Sequence, residues 1–475
     1  MTTEELLVLS PLLALTATPI VVMLTIAFHR NHRVSALLTI AGLIITLALL
    51  SFSGRAESPE VTALLVLDGY ARFFVALIVA AAVAVALLSY GFFDRVKYPE
   101  EFYVLLAIAT LGSAVLAASR HFVSFFVGLE LLSVSLYAMI AYPQRARNQI
   151  EASIKYLILA ATSGAFLLFG LALVYAATGR MDFATAATAI SQRWLNPQVL
   201  FAGWALALVG IGFKLAVVPF QLWTPDVYEG APAPVAAFVA TVSKGAMFAL
   251  LVRFFVPSGI HHQMPFELIF ALVAMASMLF GNLAALLQDN IKRILAYSSI
   301  AHMGYLLVAF LAAGDRAIFA VAFYLTAYFV TTLAAFGVMT LLSTEESEAD
   351  RIADYRGLFW RRPWLGGIMT AALLSLAGVP LTIGFIGKFY LVLAGISSTL
   401  WLLVFTLVLS STIGLFYYLR IIVSIYALAG EPVPALRRFP VSGGAALAIL
   451  TVLLIGLGIY PTPAIRIIET VVHLF

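Results

Sequence analysis

Four ionisable side chains stand in stretches that are otherwise almost wholly apolar: Glu130 in GLELLS, Lys214 in GFKLA, Lys244 in VSKGA and Lys388 in IGKFY. The three lysines are half of the chain's six, which stand against twenty-one arginines. A charge at the centre of an apolar helix costs at least about 2.5–3.5 kcal/mol on insertion scales. Lysine changes its protonation readily on burial, whereas arginine stays charged. Arginine in the linkers and lysine in the apolar runs is therefore a pattern suited to moving protons, not to fixing charge. One buried ion pair, Glu130 with Lys214, does not account for the set, because one acid cannot balance three lysines.

Desolvation drives a proton off a lysine, and a neighbouring carboxylate draws it back. A change in distance or hydration between Glu130 and Lys214 then switches Lys214 between holding and releasing its proton. Lys244 and Lys388 can pass the proton on where water bridges the gaps. His302 is a candidate relay because its unperturbed pKa lies near neutrality, and Lys292 is a second. No metal site or cofactor-binding residue is expected. Cysteine is absent, which removes thiolate zinc sites, iron–sulfur ligation and Cys nucleophiles. Walker A, dinucleotide and HExxH motifs are missing, and the run from Gly384 to Lys388 lacks phosphate-loop spacing.

The elements that must position these residues are membrane helices. The 475 residues are 63% hydrophobic and 11% charged, against roughly 25% charged in soluble domains. That composition excludes a soluble globule, and the small net charge of +4 leaves no nucleic-acid footprint. The fold class is an all-α polytopic membrane protein, because all-round hydrophobicity without period-two alternation excludes a β-barrel. Fourteen spans are predicted, near 6–28, 34–52, 70–93, 102–119, 122–142, 152–178, 199–223, 233–256, 267–288, 293–313, 317–343, 364–394, 399–428 and 441–460. A short amphipathic tail from Ala464 to Phe475 is expected in the bilayer interface. The acidic start, Met1 to Glu5, is unlike a basic secretory leader, so the first run reads as a retained helix.

Two spans contain breaks. Pro219 interrupts the seventh just after Lys214, and Gly378 with Pro380 interrupts the twelfth just before Lys388. Proline removes a backbone donor, and broken helices at membrane depth persist where they are buried or line a watery cavity. The breaks fall five spans apart, which predicts two inverted five-helix repeats, spans 4–8 and 9–13. The single transmembrane domain, 1–475, then divides into N-terminal helices (1–101), a first repeat (102–256), a second repeat (267–428) and a last helix with its tail (429–475). Aligning Arg120-His121-Phe122 with Lys292-Arg293-Ile294, 172 residues later, sets Glu130 opposite His302.

Lys and Arg in alternate linkers divide sixteen against eight, the smaller set including Arg253. The larger set should face the cytoplasm, with both termini on the other side. The longest hydrophilic linker, Thr344 to Pro363, reads as a solvated loop.

The segment Gly212–Pro234, GFKLAVVPFQLWTPDVYEGAPAP, resembles the signature of the antiporter-like, proton-conducting membrane subunits of respiratory complex I, the NADH–quinone oxidoreductase. YSSIAHMGY (297–305), SLAGVPLTIGFIGKFY (375–390), YRGLF (355–359), EASIKY (151–156) and GLELLS (128–133) extend the resemblance over essentially the whole chain. It implies fourteen helices with broken seventh and twelfth spans. It also implies proton translocation through Glu130, Lys214, Lys244 and Lys388, within an enzyme complex whose redox centres lie elsewhere. NAD, FMN, iron–sulfur clusters and quinone are expected on other subunits, with none on this chain. The implied partners are the bilayer, the sister antiporter-like subunit M and the small subunits A, J and K, in a bacterial inner membrane. A free-standing cation/proton antiporter subunit and a structural membrane spacer are the rival readings.

Overall fold

A computed structural model of the chain describes residues 3–53, 62–94, 96–142, 147–186, 197–262, 265–312, 314–343, 348–428 and 440–472. It is built of helices, and its only β contacts among the described residues are isolated bridges. The first spans are α1 (Thr3–Phe28), α2 (His32–Ser53), α3 (Gly69–Phe93), α4 (Glu100–Ala118), α5 (Phe122–Ala141) and α6 (Arg147–Thr178). The seventh predicted span is split into α7 (Pro197–Leu215) and α8 (Trp223–Gly230). The eighth runs from α9 (Ala233–Phe238) through a π-helical turn, Val239–Ser243, into α10 (Lys244–Ser258). Then follow α11 (Phe266–Leu286), α12 (Ile291–Leu311) and α13 (Asp315–Leu342). After the short α14 (Leu358–Arg361), the twelfth span is split into α15 (Pro363–Ala377) and α16 (Ile383–Ser397). The chain closes with α17 (Trp401–Tyr426), α18 (Val441–Ile459) and the amphipathic α19 (Thr462–Val472), which packs on α3 and α13.

Among the described residues, thirteen helical stretches are long and apolar enough to cross a membrane, and the two shorter apolar helices, α15 and α16, fill the place of the twelfth span. In hydrocarbon each backbone polar group must be satisfied within the protein, which is why the apolar runs become helices. The interior of the bundle is formed by the α9–α10 span, α12 and α13, which are almost completely enclosed. The outer helices α1, α2, α6, α11, α17 and α18 turn Leu, Ile, Val and Phe side chains outward, as a lipid-facing surface requires. Close approach rests on small residues. A β-carbon at Gly112 of α4 would lie 2.5 Å from the Leu132 nitrogen of α5.

The same local geometry occurs twice. His121 bridges Asp182, and Asn290 bridges Arg351. Phe122 N donates to Met181 O (2.9 Å) as Ile291 N does to Asp350 O (2.5 Å), and Phe183 N to Arg120 O as Ile352 N does to Asp289 O. His121 caps α5 and Asn290 caps α12. A β-carbon at Gly112 would meet Gly128 O and Leu132 N, and one at Gly281 would meet Tyr297 O and Ala301 N. Every residue in the second set stands 169 positions after its counterpart. This corrects the sequence register of 172 by three residues, nearly one helical turn. Glu130 therefore corresponds to Ser299, and Ser133 to His302.

Two other expectations change. Arg253 is no linker charge: it lies in α10, 8% exposed, and grips Asp68, the N-cap of α3, through two bonds of 2.9 and 2.7 Å. The linker before α15 is not merely solvated either. Within its described part, Asp350 and Arg351 pair with the start of α12, Glu348 binds Lys292, and Tyr355 is buried. Residues 344–347 of that linker lie outside the described residues.

Candidate functional site

Lys214 sits in the last turn of α7, immediately before the break. The chain leaves the helix through Ala216 in a left-handed conformation (φ 60°), and Val218 N donates to Ser277 Oγ of α11 at 2.9 Å. The freed backbone is thus re-satisfied by a neighbouring side chain, and the lysine is left aimed at α5 and α6. Its ammonium donates to Ser133 Oγ and to Tyr156 Oη, both at 2.9 Å. Glu130 is half-buried one turn before Ser133 on α5, with Oε1 3.4 Å from where a Gly164 β-carbon would stand on α6. Among the described residues no ion pair joins Glu130 to Lys214; hydroxyls hold the ammonium.

Lys244 follows directly on the π turn, a distortion frequent at functional sites. It is wholly buried, donates to Ser299 Oγ of α12, and lies 5.5 Å from the Tyr228 ring centre of α8. Ser299 Oγ also meets Tyr228 Oη at 3.2 Å. His302 is one turn further along α12. Its ring contacts Tyr324 Oη at Nδ1 (2.6 Å) and Tyr418 Oη at Nε2 (3.4 Å), and Tyr418 Oη meets Ser298 Oγ at 2.5 Å.

Lys388 crosses the second break. Its ammonium donates to Leu376 O (2.9 Å), Ala377 O (3.0 Å) and Ser411 Oγ (2.7 Å). The first two are C-terminal carbonyls of α15, left without partners when the helix stops and carrying the negative end of its dipole. Gly378 makes the approach possible. Its φ is 83°, and a β-carbon there would come within 2.8 Å of Lys388 Cδ. Leu381, beyond Pro380, is left-handed as well (φ 71°). The Lys388 ammonium lies 5.1 Å from the ring centre of Tyr305, which is held by Asn282 at 2.8 Å.

One face of α12 therefore carries Ser299, His302 and Tyr305 at three-residue intervals, meeting Lys244 at one end and Lys388 at the other. The expected residues divide accordingly. Glu130 and Lys214 form one group on α5 and α7, and Lys244, which reaches Ser299 from α10, forms a second along α12 with His302 and Lys388. Lys292 is elsewhere. It lies ten residues from His302, about 15 Å along the helix, donating to Glu229 O (3.2 Å) and Ala231 O (2.8 Å) at the end of α8 and pairing with Glu348.

The sequence reading missed the hydroxyl partners Ser133, Tyr156, Tyr228, Ser299, Tyr324, Tyr418 and Ser411. Several were visible as polar positions in apolar runs, and Ser299 stands one turn before His302.

The sequence profile of the NADH:quinone oxidoreductase/Mrp antiporter transmembrane family matches residues 119–414, more than half the chain, including Glu130, Lys214, Lys244, His302 and Lys388. The chain belongs to that family. In agreement, a chain of respiratory complex I from Thermus thermophilus, solved with bound aureothin, superposes with a TM-score of 0.82 at 32% identity, covering 96% of this chain and 98% of that one. A chain of the archaeal membrane-bound sulfane sulfur reductase matches at TM-score 0.86 and 23% identity, over 100% and 97%. A chain of the Mrp complex from Dietzia sp. DQ12-45-1b matches at 0.88 and 20%, over 99% and 97%. The last two share the fold. The family is one of integral membrane proteins, and this chain is an antiporter-like member of it.

Proposed function

We propose that this chain is subunit N of a bacterial NADH–quinone oxidoreductase and conducts protons across the inner membrane while redox chemistry proceeds on other subunits. The observation that carries the reading is the α12 face, where Ser299, His302 and Tyr305 lie between two buried lysines. Glu130 sets the charge state of Lys214, whose proton is held by Ser133 and Tyr156. Lys244 takes the proton over through water. Ser299, His302 and their tyrosines carry it along α12, and Lys388 delivers it to one membrane face. Lys388 also favours N over subunit M, in which a glutamate is expected at that place. Lys292 takes part by holding the end of α8.

The 32% identity with a complex I chain supports the assignment. So does the recurrence of bonds and caps at 169 residues, which fits inverted repeats over 102–256 and 267–428. Partners are then subunits M, A, J and K, the termini face the periplasm, and NAD, FMN, iron–sulfur and quinone chemistry stays on other chains.

The test is isolation of the tagged chain with its associated proteins from bacterial membranes, followed by reconstitution. NADH-dependent quinone reduction with vesicle acidification is the expected result. Cation/proton exchange without NADH would assign the chain to a free-standing antiporter instead.

A further inference from the structure

The proton path just proposed has a gap. Lys214 and its hydroxyls lie on α5, α6 and α7, Lys244 and its serine on α10 and α12, and no side-chain hydrogen bond joins the two groups among the described residues. The short helix α8 lies between the two groups and touches both. Trp223 Nε1 donates to Phe213 O, next to Lys214, at 2.9 Å, and the Trp223 ring packs 4.8 Å from the Tyr156 ring that holds the Lys214 ammonium. Five residues on, Tyr228 Oη meets the Ser299 hydroxyl that accepts from Lys244. Movement of α8 therefore displaces partners of both lysines together.

One carboxylate of α8 reaches both flanking helices, alongside the Arg293 bond to Glu229 and the Lys292 bonds at its end. Asp226 accepts from Lys155 of α6 at Oδ2 and from Arg293 of α12 at Oδ1, each at 2.9 Å. Lys155 precedes Tyr156 directly, and Arg293 lies less than two turns before Ser299 on α12. Each cation thus stands on the same helix, close to the hydroxyl that α8 itself touches. The clamp borders a cavity of about 190 Å³ lined by Glu151, Lys155, Asp226 and Glu229 among others. That is room for several waters, so the ion pairs can exchange their partners for solvent without collapse of the fold.

We propose that Asp226 is a positioning residue that couples the two halves of the path. By holding α8 between Lys155 and Arg293, it fixes how far the Lys214 hydroxyl cage stands from the Lys244 serine. Releasing one cation lets α8 shift, and the two lysines then answer to one element.

The inference rests on the proton-path reading above, and the experiment separates the two. Asp226→Asn, Asp226→Glu, Lys155→Met, the Lys155→Met/Asp226→Asn double variant and Lys214→Ala are compared in the reconstituted complex. NADH-driven proton pumping is measured after assembly has been verified. Asp226→Asn should lower pumping at least threefold, Asp226→Glu should keep at least two-thirds of it, and the double variant should be no worse than Asp226→Asn alone. Pumping unchanged in Asp226→Asn while Lys214→Ala loses it overturns the coupling role and leaves the path standing. Pumping intact in Lys214→Ala removes the path itself. Should Asp226→Asn fail to assemble, Lys155→Met decides, because it removes one arm and leaves the Arg293 arm closed; a pumping rate within 20% of the parent then refutes the proposal.

Discussion

Ser299→Ala is the substitution whose effect the geometry defines most closely. Lys244 is wholly buried, and Ser299 Oγ is the one hydrogen-bond acceptor it has among the described residues. A hydrogen bond to a charged group contributes about 1.5–3 kcal/mol. At 1.36 kcal/mol per factor of ten, its loss makes the proton-loaded ammonium roughly 10–150-fold rarer relative to the neutral amine. Proton transfer through this step should slow by at least the lower figure. Ser133→Ala provides an internal comparison, because Lys214 keeps Tyr156 as a second partner at 2.9 Å and should lose less. The assay is acidification of vesicles carrying the assembled complex, normalised to quinone reduced. Ser299→Thr, which keeps the hydroxyl, should retain most of the activity. Pumping by Ser299→Ala within twofold of the parent would refute the reasoning, as would an equal loss in Ser133→Ala.

Further consequences follow from other contacts. Gly378→Ala forces a side chain into a left-handed position, which costs roughly 1–2 kcal/mol, and pushes Lys388 away from the α15 carbonyls; pumping should fall in a complex that still assembles, and undiminished pumping would contradict that role for the carbonyl cage. Arg253→Met leaves Asp68 without its two guanidinium bonds; breaking a buried pair costs about 3–5 kcal/mol, so the thermal midpoint of the purified complex should drop, with Arg253→Lys a poor rescue because it lacks the forked geometry. His261 lies between spans, where burial and then the charge of His262 lower its pKa to about 4. Its stabilising contribution is complete above the unfolded value near 6.5 and is lost as pH falls from there towards 4; the hydrogen-exchange protection of residues 260–262, corrected for the base-catalysed intrinsic rate, should be lower at pH 5 than at pH 7, and His261→Gln should abolish the difference.

The helices were legible because the bilayer leaves few alternatives. Span ends agree within a few residues across most of the chain, and Pro219 and Pro380 marked both breaks. The four charged positions were legible for the same reason, since a charge in an apolar span is costly enough to need a purpose. Their hydroxyl partners were not. Ser133 donates back to Leu129 O of its own helix just as Thr110 and Ser113 do to Leu106 O and Ala109 O, and differs from them only in also accepting from a lysine. A serine's partner depends on which helix packs against it, and a single sequence does not contain that. The repeat register slipped for a related reason: three residues are nearly a full turn, so a register of 172 keeps the same helix face as the true 169. The π turn before Lys244 carries no proline or glycine to announce it. Arg253 reads in sequence as a linker charge because its partner Asp68 is 185 residues away.

The central claim is that buried lysines held by hydroxyls carry protons along this chain, and Lys214→Ala tests it most directly. The variant is to be assembled in the full complex, reconstituted in vesicles, and measured for protons moved per quinone reduced. Proton conduction by Lys214 requires that ratio to fall. An unaltered ratio in a verified, fully assembled complex would mean that the charged residues lock helices together and that protons cross elsewhere.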